Sequence, residues 1–107
     1  MPPAPLGEFE TLVLLAVLRL RDGAYGMAVR RELEARAGRE AAIGAVYATL
    51  ERLEAKGLVA SRTGEATEAR GGRARRYFEV TRAGRAAVAA AAGALARMIE
   101  GLKLDPA

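Results

Sequence analysis

A chain of 107 residues, 51% apolar and carrying a formal charge of +4, is sized for one domain that can bury roughly two thirds of its unfolded surface. With no cysteine and no histidine, it lacks disulfides, thiolate metal sites, and the commonest general base and transition-metal ligand. No catalytic residue, metal site or cofactor is therefore expected, and enzyme chemistry is poorly provided for.

Only Phe9, Tyr25, Tyr47, Tyr77 and Phe78 are aromatic, so Leu, Val, Ile and Ala have to build the core, which favours helices. Residues 1–5 hold three prolines and are expected to form a flexible N-terminal arm. The opening MPPAPLGEFE lacks the pattern of a signal peptide. The longest apolar run, Leu12 to Leu18, is too short to span a bilayer. A soluble cytoplasmic protein with no membrane partner is expected.

The spacing predicts a first helix over Glu8 to Leu20, with two glutamates in its favourable first turn. Phe9, Leu12, Val13, Leu14, Leu15, Val17 and Leu18 go most of the way round it. A helix apolar on all sides is buried on all sides, and so short a chain struggles to cover it alone. Part of this helix is expected to meet a second subunit; the alternative is a central helix in a monomer. Arg21-Asp22-Gly23-Ala24 reads as a turn, and a second helix follows over Tyr25 to Ala37. In it Met27 or Ala28, Val29 and Leu33 face inward, with Arg30, Arg31 and Glu34 outward.

After Gly38-Arg39-Glu40 comes the stretch with most to say, Ile43 to Gly57. Ile43, Val46, Leu50 and Leu53 form its buried stripe. The opposite face carries Ala45, Ala48, Arg52, Ala55 and Lys56. A slim face of alanines with two cations can enter the DNA major groove, which just admits a helix; a core helix with small exposed residues is the plain alternative. Gly57 ends the helix. Together with its predecessor it makes a helix-turn-helix pattern, weak by itself because any two consecutive helices resemble it.

Two short extended segments, Leu58 to Arg62 and Ala74 to Thr81, then flank a loop rich in Gly, Thr and Ala that turns strongly basic at its far end. Between Arg70 and Arg85 lie six arginines and one acid, Glu79. A hairpin with arginine and glycine at its tip, directly after a groove-sized helix, has the character of a wing. Glycine lets backbone approach phosphate, and arginine reaches phosphate or a narrow minor groove; the alternative is a solvated basic loop. Thr81 caps a last helix predicted from Arg82 to about Leu102. Val88, Ala92, Leu95, Ile99 and Leu102 step along it as a heptad seam, either between subunits or against the chain's own domain.

The expected architecture is mainly α with one small β-hairpin. A winged helix-turn-helix domain occupies residues 6–81, and a dimerisation helix occupies 82–107. The expected DNA contacts are Tyr47, Ala48, Thr49, Arg52 and Lys56 from the third helix, and Arg70, Arg73, Arg75 and Arg76 from the hairpin. Tyr47 reads equally as a half-buried packing residue. Glu54 reads as structural, answering a nearby arginine. The expected dimer interface is Phe9, Leu12, Leu14, Leu15 and Leu18 with Val88, Ala92, Leu95, Ile99 and Leu102. Double-stranded DNA and a second copy of the chain are the expected partners. The competing reading is a winged-helix protein-interaction module that does not bind DNA.

LGEFETLVLLAVL (Leu6 to Leu18), Tyr25-Gly26, GAVYATLERLEAKGLV (Gly44 to Val59) and RGGRARRYFEVTRAG (Arg70 to Gly84) together resemble the PadR family of bacterial transcriptional regulators, in order and spacing. The resemblance implies a dimeric winged helix-turn-helix protein that usually represses transcription, with the first and last helices forming the interface. It also implies a small-molecule effector that loosens DNA binding. The chain departs from the family in two respects. Ala41-Ala42 and Ala48 stand where relatives often have a hydroxyl cap and a proline. A single helix, without an aromatic residue, follows the wing, as in the short-tailed branch.

Overall fold

The computed structural model describes residues 5–64 and 74–104. Helix α1 spans Glu8–Leu20, and a single 3-10 turn, Arg21–Gly23, leads into α2, Gly26–Ala37. Helix α3 is Ile43–Ala55, strands β1 and β2 are Val59–Thr63 and Arg76–Val80, and α4 is Arg82–Ile99. The two strands form an antiparallel hairpin in which Val59 faces Val80 and Thr63 faces Arg76. A mainly α fold with one hairpin is the winged helix-turn-helix arrangement expected from the sequence.

The helices form where apolar residues recur every three or four positions, and those residues meet in one core. Val13, Leu14 and Val17 of α1 pack with Val29 and Leu33 of α2 and Val46, Leu50 and Leu53 of α3. Val59 and Phe78 bring the hairpin into the same cluster, and Val88 brings α4. Such side chains contribute roughly 1.5–3 kcal/mol each on burial, so the core fixes where α3 and the hairpin sit. The outer face of α3 follows the sequence: Ala45, Ala48, Arg52, Ala55 and Lys56 are all exposed.

Boundaries follow local chemistry. Gly57 takes a left-handed φ of 76°, and Leu58 N–H returns to the Leu53 carbonyl at 2.9 Å, which closes α3 with a Schellman turn. Thr81 Oγ1 accepts from Gly84 N–H at 3.1 Å and donates to the Gly57 carbonyl at 2.7 Å. The cap of α4 therefore also ties that helix to the end of α3. Helix α4 ends at Ile99, three residues before the expected limit. Gly101 adopts φ 82°, and Leu102 N–H closes a turn on the Ile99 carbonyl, so Leu102 lies beyond the helical seam.

Two expected interface residues are corrected by the packing. Leu14 is 0% and Val88 5% exposed within the single chain, so both belong to its own core. Val88, the first position of the expected seam, packs into the chain's own cluster, and Leu102, the last, lies beyond the end of α4.

Candidate nucleic-acid interface

The outward face of α3 is flanked on one side by the start of α1. Glu10 sits there, only 8% exposed although ionised. Its Oε1 accepts from Gly7 N–H at 3.0 Å. Its Oε2 accepts from Lys56 Nζ at 2.8 Å and Arg52 Nε at 3.3 Å. Arg52 Nη2 also donates to Thr49 Oγ1 at 3.3 Å. Arg52 and Lys56 thus keep the outer face expected of them, but a carboxylate anchors both.

Thr49 departs from expectation. At 3% exposure it lies inside, because at about 100° per residue it falls within about 60° of Val46 on the buried stripe. It braces Arg52 and does not reach outward. Tyr47 is 39% exposed, with its ring against Gly26, as the packing reading has it. Ala48 is exposed.

Lys56, then the Gly7 amide and then Arg52 hold the Glu10 carboxyl below the ordinary glutamate range, against an upward push from burial. A carboxyl with a depressed folded-state pKa stabilises the fold above its unfolded pKa, and that contribution is lost as pH falls through the folded value. We expect wild type to be more stable than Glu10→Gln by a margin that is constant above about pH 5 and shrinks below it. Urea midpoints measured against pH test this; a margin independent of pH contradicts it.

The hairpin root is cationic and aromatic. Tyr25 joins β2 through an isolated bridge to Tyr77, and Phe78 N–H donates to the Ala24 carbonyl at 2.8 Å. The two tyrosine rings meet edge to face, with centroids 5.9 Å apart. Arg75 lies 3.9 Å over the Tyr25 ring and Arg62 lies 4.7 Å over Tyr77, while Arg31 Nη2 donates to the Tyr25 hydroxyl at 2.7 Å. Stacking of this kind holds a guanidinium in place without neutralising it. Among the described residues no acid pairs with Arg75, which leaves its guanidinium available to an anion.

Arg76 has a different position. Its guanidinium clamps Glu51 and Glu54 of α3, and Glu54 also accepts from Ser61 Oγ at 2.6 Å. The structural reading of Glu54 holds. The expectation that Arg76 grips DNA is corrected: the charge ties the hairpin to α3. Arg70 and Arg73 lie outside the described residues.

Helices α1 and α4 flank an apolar groove of about 660 Å³ lined by Leu12, Leu15, Ala91, Ala92 and Leu95 among others. Leu15 is 38% and Leu95 61% exposed. Ile99, Leu102 and Ala92 are exposed as well. Phe9, Leu12 and Leu18 are partly covered by their own core. Met98 and Leu104 extend the uncovered apolar surface beyond the expected seam.

Sequence reasoning missed Glu10 and the Tyr25–Tyr77 pair. Glu10 had a signal, since positions 10, 13, 14 and 17 make one buried helical stripe. The tyrosine pair depends on a long-range bridge and had none. Among the described residues no group of His, Asp or Glu could hold a metal ion, and no helix is long and apolar enough to cross a membrane.

A helix-turn-helix followed by a hairpin, with an exposed, slim and cationic second helix, defines a winged-helix nucleic-acid-binding protein. The model of the PadR-like family of transcriptional regulators matches residues 14–90, and the chain belongs to that family. It is a DNA-binding transcription regulator, and members of the family are regulators, not enzymes. A PadR family transcriptional regulator from Eggerthella lenta superposes with a TM-score of 0.68 at 29% identity, covering 89% of this chain and 82% of that one. A PadR-like transcription factor from Bacteroides fragilis gives 0.70 at 22%, covering 86% and 84%. A PadR family regulator from Clostridium difficile gives 0.65 at 23%, covering 86% and 91%. The last two bear on the fold alone. No curated protein sequence matches the chain.

Proposed function

We propose that the protein is a cytoplasmic homodimeric repressor. Residues 6–81 read a palindromic operator, and residues 82–107 join two copies. Each α3 enters a major groove while the hairpin of the same chain lies along the flanking backbone. The two half-sites are about one helical turn or a multiple of it apart. The observation that carries the reading is the outer face of α3, where exposed Ala45, Ala48 and Ala55 leave room for a groove wall and Arg52 and Lys56 stand at its edge. A protein-docking helix would show aromatic or large apolar anchors there. The apolar groove between α1 and α4 supports pairing of two copies, and a small apolar effector seated where they meet would relieve binding.

Affinity measured against salt tests the reading. If six to ten phosphates are neutralised per dimer, binding falls about 10³- to 10⁵-fold between 50 and 200 mM salt. Arg75→Ala is expected to weaken binding to every duplex and to flatten the dependence by about two phosphates per dimer. An Arg75→Ala protein with wild-type affinity and slope removes the hairpin from the interface.

A further inference from the structure

Among the described residues, Glu10 is the one charged side chain buried in the fold. A buried carboxylate is unfavourable unless charges and hydrogen bonds answer it, so its surroundings show what it is for. Capping α1 uses only Oε1, through Gly7 N–H. Oε2 has no partner on α1 and is shared by Lys56 and Arg52, two cations one turn apart on the outer edge of α3. Like charges at that spacing repel; a carboxylate between them removes the repulsion and fixes both. Arg52 is the more constrained. Its Nε and one Nη are engaged inward by Glu10 and Thr49, yet its side chain is 53% exposed, so the rest of the fork stands outward in a set orientation.

We propose that Glu10 is a specificity-determining positioning residue for duplex DNA. It presents Arg52 in a fixed orientation for base edges and withholds the charge of Lys56 from indiscriminate phosphate contact. The proposal rests on α3 being the groove-entering helix. Non-specific affinity is set almost wholly by the number of cations free to displace counterions. Specific affinity depends on a few side chains held in the right geometry. One carboxylate that subtracts from the first and supports the second widens the gap between them. No partner other than α1 itself is needed to place it.

The test compares two probes: a duplex selected by wild-type protein from a random pool, and a scrambled duplex of the same composition. Glu10→Gln keeps an oxygen for Gly7 N–H, but removes the charge and replaces Oε2, the acceptor of Lys56 and Arg52, by an NH2 that can only donate, so both cations are released. On the scrambled duplex we expect affinity to rise about 10-fold and the salt dependence to steepen by about two phosphates per dimer. On the selected duplex affinity should change less than about 2-fold, so the ratio of the two narrows at least about 5-fold. Adding Lys56→Met to Glu10→Gln should bring the slope back toward wild type.

Unchanged ratio and slopes, or an equal loss on both duplexes at constant slope, overturn the assignment of Glu10 alone. Wild-type protein that binds neither duplex overturns the DNA reading with it. A measurement on unaltered protein covers the case in which the variant does not fold. The chain has two lysines, Lys56 and Lys103, so their side-chain ammonium resonances are readily told apart. Lys56 should be the more ordered and should stay so when scrambled duplex is added; release of Lys56 into disorder on that duplex overturns the proposal.

Discussion

Gly84→Ala is expected to destabilise the domain by about 3 kcal/mol and to lower its Tm by roughly 12–24 °C. A Cβ at Gly84 would stand 2.1 Å from the Leu58 carbonyl oxygen and 2.7 Å from Val80 Cγ1. The Leu58 oxygen is backbone, fixed by the closing turn of α3 and by Thr81 N–H at 3.0 Å, so it cannot give way. The first turn of α4 would have to lift off the connection between α3 and β1, losing the Thr81 cap and the fit of Val88. Gly26→Ala is the internal control. Its Cβ would meet Tyr47 Cζ at 2.3 Å, but that atom is the far end of a partly exposed side chain that can swing outward. The cost there should stay below about 1 kcal/mol. Urea unfolding of both variants decides the matter, and a Gly84→Ala protein within about 0.5 kcal/mol of wild type would show that α4 is not seated as described.

The contrast between these two glycines shows what can be read from a sequence. Local rules carried far: the apolar spacing located α1 to its first and last residue, Gly57 and Thr81 marked the end of α3 and the start of α4, and Phe78 marked the inward face of the hairpin. Each of those signals is complete within a few neighbouring residues. Nothing local distinguishes Gly84 from Gly44, because the backbone that crowds Gly84 arrives from Leu58.

The interface residues divide in the same way. Arg52 and Lys56 were legible as exposed cations because helical geometry alone puts them outside. That both share Glu10 was not, because the carboxylate comes from another helix. Arg75 and Arg76 are adjacent in a basic run, yet one stacks on Tyr25 while the other is clamped by Glu51 and Glu54. Alternation on a strand predicts that they point to opposite faces; only the fold says what each face meets. Leu14 and Leu15 separate for a related reason. Both are apolar positions on a helix that reads as buried all round, but Leu14 enters the common core whereas Leu15 lines the groove beside α4 and stays 38% exposed.

Leu15 and Leu95 are therefore where the assembly can be tested without disturbing the core. Leu15→Asp combined with Leu95→Asp should leave the monomer folded, since both side chains are exposed in the isolated chain and neither belongs to the buried cluster that holds α1 to α3. Facing a second apolar groove, two unpaired carboxylates per chain would have to be desolvated, a cost of several kcal/mol that a short alanine-rich seam cannot offset. Sedimentation at micromolar concentration should then show a single chain where wild type shows two. Binding to a palindromic duplex should weaken about 10²- to 10⁴-fold, because the second half-site loses its effective concentration, while binding to an isolated half-site is nearly unchanged. The two readouts separate the causes: loss on both probes points to damage in the DNA-binding domain, whereas loss on the palindrome alone points to the seam. A double variant that still sediments as a dimer would move the interface off the groove, toward Met98 and Leu104 at the end of α4.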